Sequence, residues 1–341
     1  MTGAKARGRF RRLPPFIIRA PLADSRTSSS FKLISDPQEP PAGLEGVIVA
    51  IGNFDGVHRA HAAVIARAKT LAEKLGGPCA VLTFEPHPAD YFRGGEPIFR
   101  LTPLEEKAAA LARLGLDGMI VLTFDASLAE LSAEEFVSEI LVRRLAVRAV
   151  VAGYDFHFGK GRGGSPAFLK EAGAKLGFEV DIVERISPEA GLDIEAIGST
   201  AIRAALEAGD VARAAHLLGH DFTVKGKVVH GQKLGRTLGY PTANITTDPS
   251  FRLAHGVYAV RAWFDGASYD GVANYGRRPT FDNGAPILEA YLFDFSGELY
   301  GKSIELAFVA KIRGEEKFAS VDALVAQMEK DVAEAKALLQ A

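Results

Sequence analysis

The chain has 341 residues, 24% of them charged, with a formal net charge of -2. That length accommodates two domains, each with its own apolar core, and the near-neutral balance argues against a polyanion-binding protein, so no nucleic-acid partner is expected. No apolar run reaches the length of a bilayer-spanning helix and no signal-peptide core is present, so no membrane partner is expected either. The first thirty residues differ from the rest: Lys5, Arg7, Arg9, Arg11, Arg12, Arg19 and Arg26 face one acid, Asp24, while Pro14, Pro15 and Pro21 interrupt any helix. They read as a dispensable flexible extension. The lone Cys79 has no internal partner for a disulfide and reads as a buried thiol in a reducing cytoplasm.

From residue 46 short β-branched runs alternate with amphipathic segments. GVIVAI (46–51), PCAVLTF (78–84), GMIVLTF (118–124), AVRAVVAG (146–153) and FEVDIVE (178–184) read as five buried strands. Between them AAVIARAKTLAEKLG, PLEEKAAALARLG, SAEEFVSEILVRRL and a segment near 166–176 read as helices, the third opened by a capping box from Ser132 to Glu135. Strands joined by crossover helices predict a doubly wound parallel sheet covered on both faces, with ligands at the carboxyl ends of its strands. The helical stretch 199–219 is expected to close this first domain. Beyond it GVYAVRAWF, YDGVANY, ILEAYLFDF and SIELAFVAKI follow one another across short turns, which predicts an antiparallel sheet or small barrel with the helical stretch SVDALVAQMEKDVAEAKALL packed against it.

IGNFDGVHRAH (51–61) places His58 and His61 on one helical face just after a strand, where the NFDG turn can offer amides to a phosphate. Imidazoles there can stabilise charge as pyrophosphate leaves. Two structural histidines, or a zinc site with Asp55, are the rival readings. The single cysteine and the absence of compact third and fourth ligands weigh against zinc. In GSTAIR (198–203), Ser199 and Thr200 bring hydroxyls to a helix start and Arg203 brings a forked cation. GKVVHGQKLGRTLGYPTANI (226–245) is a Gly-rich basic loop followed by an extended segment that puts Thr242 and Asn244 on one side, an arrangement able to hold Mg²⁺ against phosphates. Glu289 shares a strand face with Ile287 and Tyr291, so an apolar setting is expected for its carboxylate.

GNFDGVHRAH resembles the GxFDGxHxGH signature of nucleotidyltransferases, in the version found in bacterial bifunctional riboflavin kinase/FAD synthetases. LTFEPHP, RLTPLEEK, LSAEEFV, AGYDFHFGKGR, GSTAIR and the PTAN segment agree with that family in order and spacing from about residue 31. The resemblance implies residues 1–30 as an extension, an FMN adenylyltransferase domain at 31–205 with a doubly wound parallel sheet, and a riboflavin kinase domain at 206–341 with a six-stranded-type antiparallel β-barrel and a C-terminal helix. It implies that riboflavin is phosphorylated by ATP to FMN, and FMN adenylylated by ATP to FAD with release of pyrophosphate. Flavins are substrates and products there, Mg²⁺ the cofactor, and apo-flavoproteins candidate recipients of the product; oligomeric state is left open.

Carried over, Glu289 is the kinase base, and His58, His61 and Arg203 act in adenylyl transfer. Asn53, Asp55, Ser199 and Thr200 shape the phosphate site. Phe84, His87, Pro88 and Asp155, with Phe156, form its flavin and nucleotide wall. Gly231, Gly235 and Arg236 belong to the kinase loop, and Thr242 and Asn244 hold the metal. The chain departs from the family at Ala60 (usually Gly), Tyr240 (Phe), Arg277 (Thr) and Tyr291 (commonly His). Ala60 leaves, as one alternative, a riboflavin kinase whose adenylyltransferase site is weakened or lost and acts as a flavin-binding or regulatory domain, and, as a second, a nucleotidyltransferase with another acceptor.

Overall fold

A computed structural model of the chain describes residues 31–185, 197–231, 235, 238–277 and 286–340. The expectation for residues 1–30, the placement of Arg236 and most of the loop after Arg277 lie outside the described residues.

The first half carries β1 (Lys32–Ser35), β2 (Ile48–Ile51), α1 (Arg59–Leu75), β3 (Cys79–Glu85), α2 (Pro88–Arg93), α3 (Leu104–Arg113), β4 (Gly118–Thr123), α4 (Ala126–Ala129), α5 (Ala133–Glu135), β5 (Ala149–Gly153), α6 (Pro166–Leu176) and β6 (Glu179–Val183). The strands form one parallel six-stranded sheet in the order β1-β4-β3-β2-β5-β6. β2 and β3 are apolar at nearly every position because both faces are covered, one by the core around Ile65, Ala68 and Leu111, the other by the core around Phe136, Ile140 and Leu169. Strand order reverses between β2 and β5, so a crevice opens at their carboxyl ends.

The sequence pattern yields five of these strands and misses β1. Its KLIS alternates half-buried and exposed side chains at the sheet edge, and a four-residue strand of that kind gives no continuous apolar run. The expected helix over 132–145 also differs. Its capping box from Ser132 to Glu135 is present, but after α5 the chain widens into a π-helix at Phe136–Arg144, with the Leu145 amide reaching the carbonyl of Ile140.

α7 (Ser199–Ala208) and α8 (Val211–Leu218) lead into β7 (Phe222–Val229), β8 (Thr242–Ile245), β9 (Gly256–Phe264), β10 (Ala267–Gly276), β11 (Ile287–Leu292) and β12 (Ser303–Arg313). These six strands close an antiparallel barrel in the order β10-β11-β8-β7-β12-β9, and the helix Val321–Gln340 packs outside it. A buried Asp331 on that helix takes a two-pronged bond from Arg313 of β12 and one from Gln327, which fixes the helix on the barrel. α7 and α8 turn Ile202, Leu206, Leu217 and Leu218 into the cluster that fills the barrel, while Ser199 and Arg203 of α7 bond to Asp55 of the first half. Phe99 and Leu101, from the loop before α3, join that cluster.

Candidate functional sites

The turn after β2 is built under strain. Phe54, Gly56 and Val57 all have positive φ, of 49°, 89° and 42°, which is costly for a branched residue such as Val57. Side chains from distant segments hold the turn. The Asn53 carbonyl accepts from Thr83 Oγ1 at 3.1 Å, the Gly56 amide donates to Thr102 Oγ1 at 2.8 Å, and Ser199 Oγ donates to the Asp55 carbonyl at 2.9 Å. The Asp55 carboxylate, 1% exposed, accepts from the amides of Leu101 (3.2 Å) and Thr102 (2.9 Å) and pairs with Arg203. Arg203 Nε also donates to the Phe99 carbonyl at 2.7 Å. Thus GSTAIR and NFDG meet across more than 140 residues of sequence. In this state two arms of the Arg203 guanidinium are engaged by protein.

His58 caps α1, its Nδ1 accepting from the His61 amide at 3.4 Å, which leaves the proton on Nε2. The two imidazoles stack with centroids 3.6 Å apart, and Phe54 tilts against His61 at 4.9 Å. Burial pushes the His58 pKa down to about 4 against the pull of Asp55, and burial lowers His61 well below its ordinary value, with His58 and Lys107 adding to the effect. Both rings are therefore neutral at pH 7 and meet a phosphate as N–H donors rather than as cations. Nδ1 of His61 is buried without a hydrogen-bond partner.

The remaining residues assigned to this region are not equivalent. His87 caps α2 through Nδ1, accepting from the Ala89 amide at 3.1 Å, and burial pushes its pKa down to about 4; Pro88 supplies the first residue of that helix. Phe84 is interior, packed against Phe124 and Phe136. An exposed aromatic surface nearby is made by Tyr91 and Phe92, the latter 69% exposed, which pack edge-to-face with each other and with Phe124. Asp155 and Thr200 are exposed, Asp155 just beyond β5 on the other side of the crevice; Phe156 stacks on Phe158. Sequence reading passed over a charged group beneath the site. Arg100 bridges Glu85 (2.6 Å) and Asp90 (2.9 Å), and Lys107, 1% exposed, lies 3.8 Å from Glu85. Its only signal was the family-like RLTPLEEK stretch.

On the barrel, Glu289 is paired in register with Asn244 on β8 and with Asn274 on β10, and Tyr291 with Thr242. The strand parity read from sequence holds, but the expected apolar setting of Glu289 does not. Leu288, Ala290 and Leu292 fill the barrel, whereas Glu289 is half-buried on the outer face between two amide side chains. The period-2 pattern fixes which residues share a face, not which face is the core.

Gly231 and Gly235 lie directly against this row. A Cβ at Gly231 would collide with the Asn244 amide, and one at Gly235 with the Tyr240 carbonyl beside Thr242 Oγ1. Tyr240 packs edge-to-face on Tyr291 at 5.3 Å. The hydroxyl and amide oxygens of Thr242 and Asn244, with a carboxylate in the adjacent strand, are a donor set suited to a hard divalent cation that takes its other ligands from phosphate and water.

A doubly wound parallel-sheet domain with a buried turn at its switch point, joined to a closed antiparallel barrel whose Thr/Asn strand is approached by Gly231 and Gly235, has the architecture of a two-site nucleotide-dependent transferase. The FAD synthetase family matches residues 41–200 and the riboflavin kinase family residues 218–339. The chain is 43% identical over 295 residues to a bifunctional riboflavin kinase/FMN adenylyltransferase of Haemophilus influenzae, covering 86% of this chain and 94% of that one. The proteins of the same description from Pseudomonas fluorescens (43%, covering 86% and 93%) and Escherichia coli (41%, covering 85% and 92%) are similar to it as well. A crystal structure from Streptococcus pneumoniae, described as a macrolide-efflux protein, shares the fold with a TM-score of 0.80 and 31% identity over 90% of this chain and 99% of that one. Among the described residues no helix is long and apolar enough to cross a membrane. The chain belongs to the bacterial bifunctional riboflavin kinase/FMN adenylyltransferase family.

Proposed function

We propose that the two activities of this family reside in separate halves of the chain, FMN adenylylation in residues 31–205 and riboflavin phosphorylation in residues 206–341. The observation that carries the reading is the convergence of Asp55, Ser199 and Arg203 on the turn that presents His58 and His61, at the switch point of the parallel sheet.

In the adenylyl transfer, an oxygen of the FMN phosphate attacks the α-phosphorus of ATP, the bond to the bridging oxygen breaks, and pyrophosphate leaves. His58 Nε2–H, the His61 imidazole and amides at the start of α1 are placed to receive the charge that builds on the phosphate oxygens. As neutral N–H donors the rings strengthen their hydrogen bonds as negative charge develops on the phosphate oxygens. Arg203 contributes its remaining arm to the polyphosphate while Asp55 holds the guanidinium plane. Tyr91, Phe92 and Phe124 offer the flavin ring a stacking surface beside α2.

In the kinase reaction, Glu289 accepts the proton of the ribityl 5′-hydroxyl as that oxygen attacks the γ-phosphorus of ATP and ADP departs. Thr242 and Asn244 would hold Mg²⁺, which when bound neutralises charge on the phosphates. Gly231 and Gly235 let the backbone at those two positions approach the strand that carries Thr242 and Asn244. The substrates ATP, riboflavin and FMN follow from this reading, as does a cytoplasmic setting. Supplying the purified chain separately with riboflavin plus ATP and with FMN plus ATP, each with Mg²⁺, tests it. FMN is expected from the first incubation and pyrophosphate with FAD from the second.

A further inference from the structure

The segment Phe99–Thr102 belongs to the parallel-sheet half by sequence but is held from both sides. Toward the adenylyl-transfer site its backbone does the holding. The amides of Leu101 and Thr102 bond the Asp55 carboxylate, the Phe99 carbonyl accepts from Arg203, and Thr102 Oγ1 accepts from the Gly56 amide. Toward the barrel, Phe99 packs edge-to-face on Phe222 and Phe251 at 5.9 and 5.7 Å. The single amide between these contacts, that of Arg100, donates to Ser250 Oγ at 2.9 Å. Ser250 lies in the loop joining β8 to β9 of the barrel, is 2% exposed, and is itself fixed by Asp248, which accepts from its amide at 2.8 Å and from its hydroxyl.

We propose that Ser250 is a positioning residue for adenylyl transfer: a barrel side chain that sets the Phe99–Thr102 strap, and through it the Asp55–Arg203 pair and the phosphate turn. The inference rests on the reading of the first site as the adenylyl-transfer site. Three hydrogen bonds with the turn and one from Arg203 end on this strap. Its displacement moves Arg203 and Gly56 together, and misplacing reacting groups by about 1 Å costs on the order of 10²-fold in rate. Ser250 is also remote in role from the kinase row of Thr242, Asn244 and Glu289, which lies on the outer face of the barrel, whereas its neighbour Phe251 packs in the interior cluster.

The test uses the full chain and its Ser250→Ala and Ser250→Thr variants. Pyrophosphate release is measured with FMN and ATP, FMN formation with riboflavin and ATP, and amide hydrogen exchange without substrate. Ser250→Ala is expected to lower the adenylyl-transfer kcat about tenfold, an effect between loss of one hydrogen bond and a full 1 Å misplacement. Riboflavin phosphorylation stays within about twofold, since no kinase group is touched. Exchange rises at Gly56 and residues 100–102 but not in β9. Ser250→Thr, which keeps the hydroxyl, restores the rate. In a Thr102→Ala background the Ser250→Ala penalty shrinks, because both changes loosen one strap. Unchanged transfer and unchanged exchange in Ser250→Ala, or parallel loss of both activities with a fall in Tm, overturns the inference. A wild-type chain that releases no pyrophosphate defeats the reading of the site instead. The exchange result then still decides whether Ser250 sets the strap.

Discussion

Arg203, on the helix that enters the barrel half, is paired with the buried carboxylate of Asp55, 148 residues earlier in the turn after β2. The pair joins GSTAIR to NFDG directly. At 1% exposure the Asp55 carboxylate is held by the amides of Leu101 and Thr102 and by the Arg203 guanidinium, which the Phe99 carbonyl orients from its other side.

Breaking one partner should therefore cost more than removing both. Asp55→Asn leaves Arg203 unpaired and is expected to destabilise the chain by about 3 kcal/mol, the lower end for a broken buried ion pair. Asp55→Asn combined with Arg203→Met should recover part of that loss in urea unfolding, while FAD formation stays at background in both. Equal stability of the single and double variants would argue that the two groups are uncoupled.

The imidazole pair gives a prediction for catalysis. His61→Ala should reduce FAD formation from FMN at least about tenfold, one decade for each ~1.4 kcal/mol of lost transition-state stabilisation, and leave riboflavin phosphorylation intact. Ala60 lies in the first turn of α1 and is half-exposed, so its methyl group has room. Ala60→Gly is expected to leave the transfer rate unchanged or to raise it. A pyrophosphate assay that finds transfer indifferent to loss of either histidine would remove their phosphate role.

Two buried imidazoles, His58 and His87, set a pH dependence. In the folded chain His58 and His87 have pKa values near 4, below the ordinary histidine value of 6.5, because burial disfavours their charged forms. The unfolded chain therefore binds protons more readily between those two values. Folding stability from these groups is fully present above about pH 6.5 and is lost as pH falls toward 4. Urea midpoints should fall from pH 7.5 to pH 5, and His58→Asn, which keeps a helix cap, should show a smaller fall. An equal fall in the variant would place the dependence elsewhere.

The local patterns carried most of this molecule. The turn, both histidines and the PTAN strand are contiguous, and five of the strands in the parallel sheet are apolar enough to announce themselves. What escaped depends on distant partners. β1 is an edge strand whose Leu33 is half in solvent, and nothing local in Phe99–Thr102 shows that Ser250 and Arg203 grip it from opposite sides. Glu289 illustrates the limit of parity: alternation placed it with Ile287 and Tyr291, but barrel closure decided that this row faces outward. The exposure of Tyr91 and Phe92 was not legible for a related reason: a phenylalanine at the end of a central strand, such as Phe84, is covered by its neighbours, and one on a short surface helix is not.

Division of labour between the halves is tested most directly with Glu289→Gln. Parent and variant are incubated with ATP and Mg²⁺, once with riboflavin and once with FMN, and riboflavin, FMN and FAD are separated over time. The parent is expected to convert riboflavin to FMN and then FAD. The variant should lose FMN formation by about 10²-fold or more, the lower range for removing a general base, yet convert supplied FMN to FAD at the parent rate. Loss of both conversions in the variant, or of neither, would contradict two reactions at two separate sites with Glu289 as the base of the first.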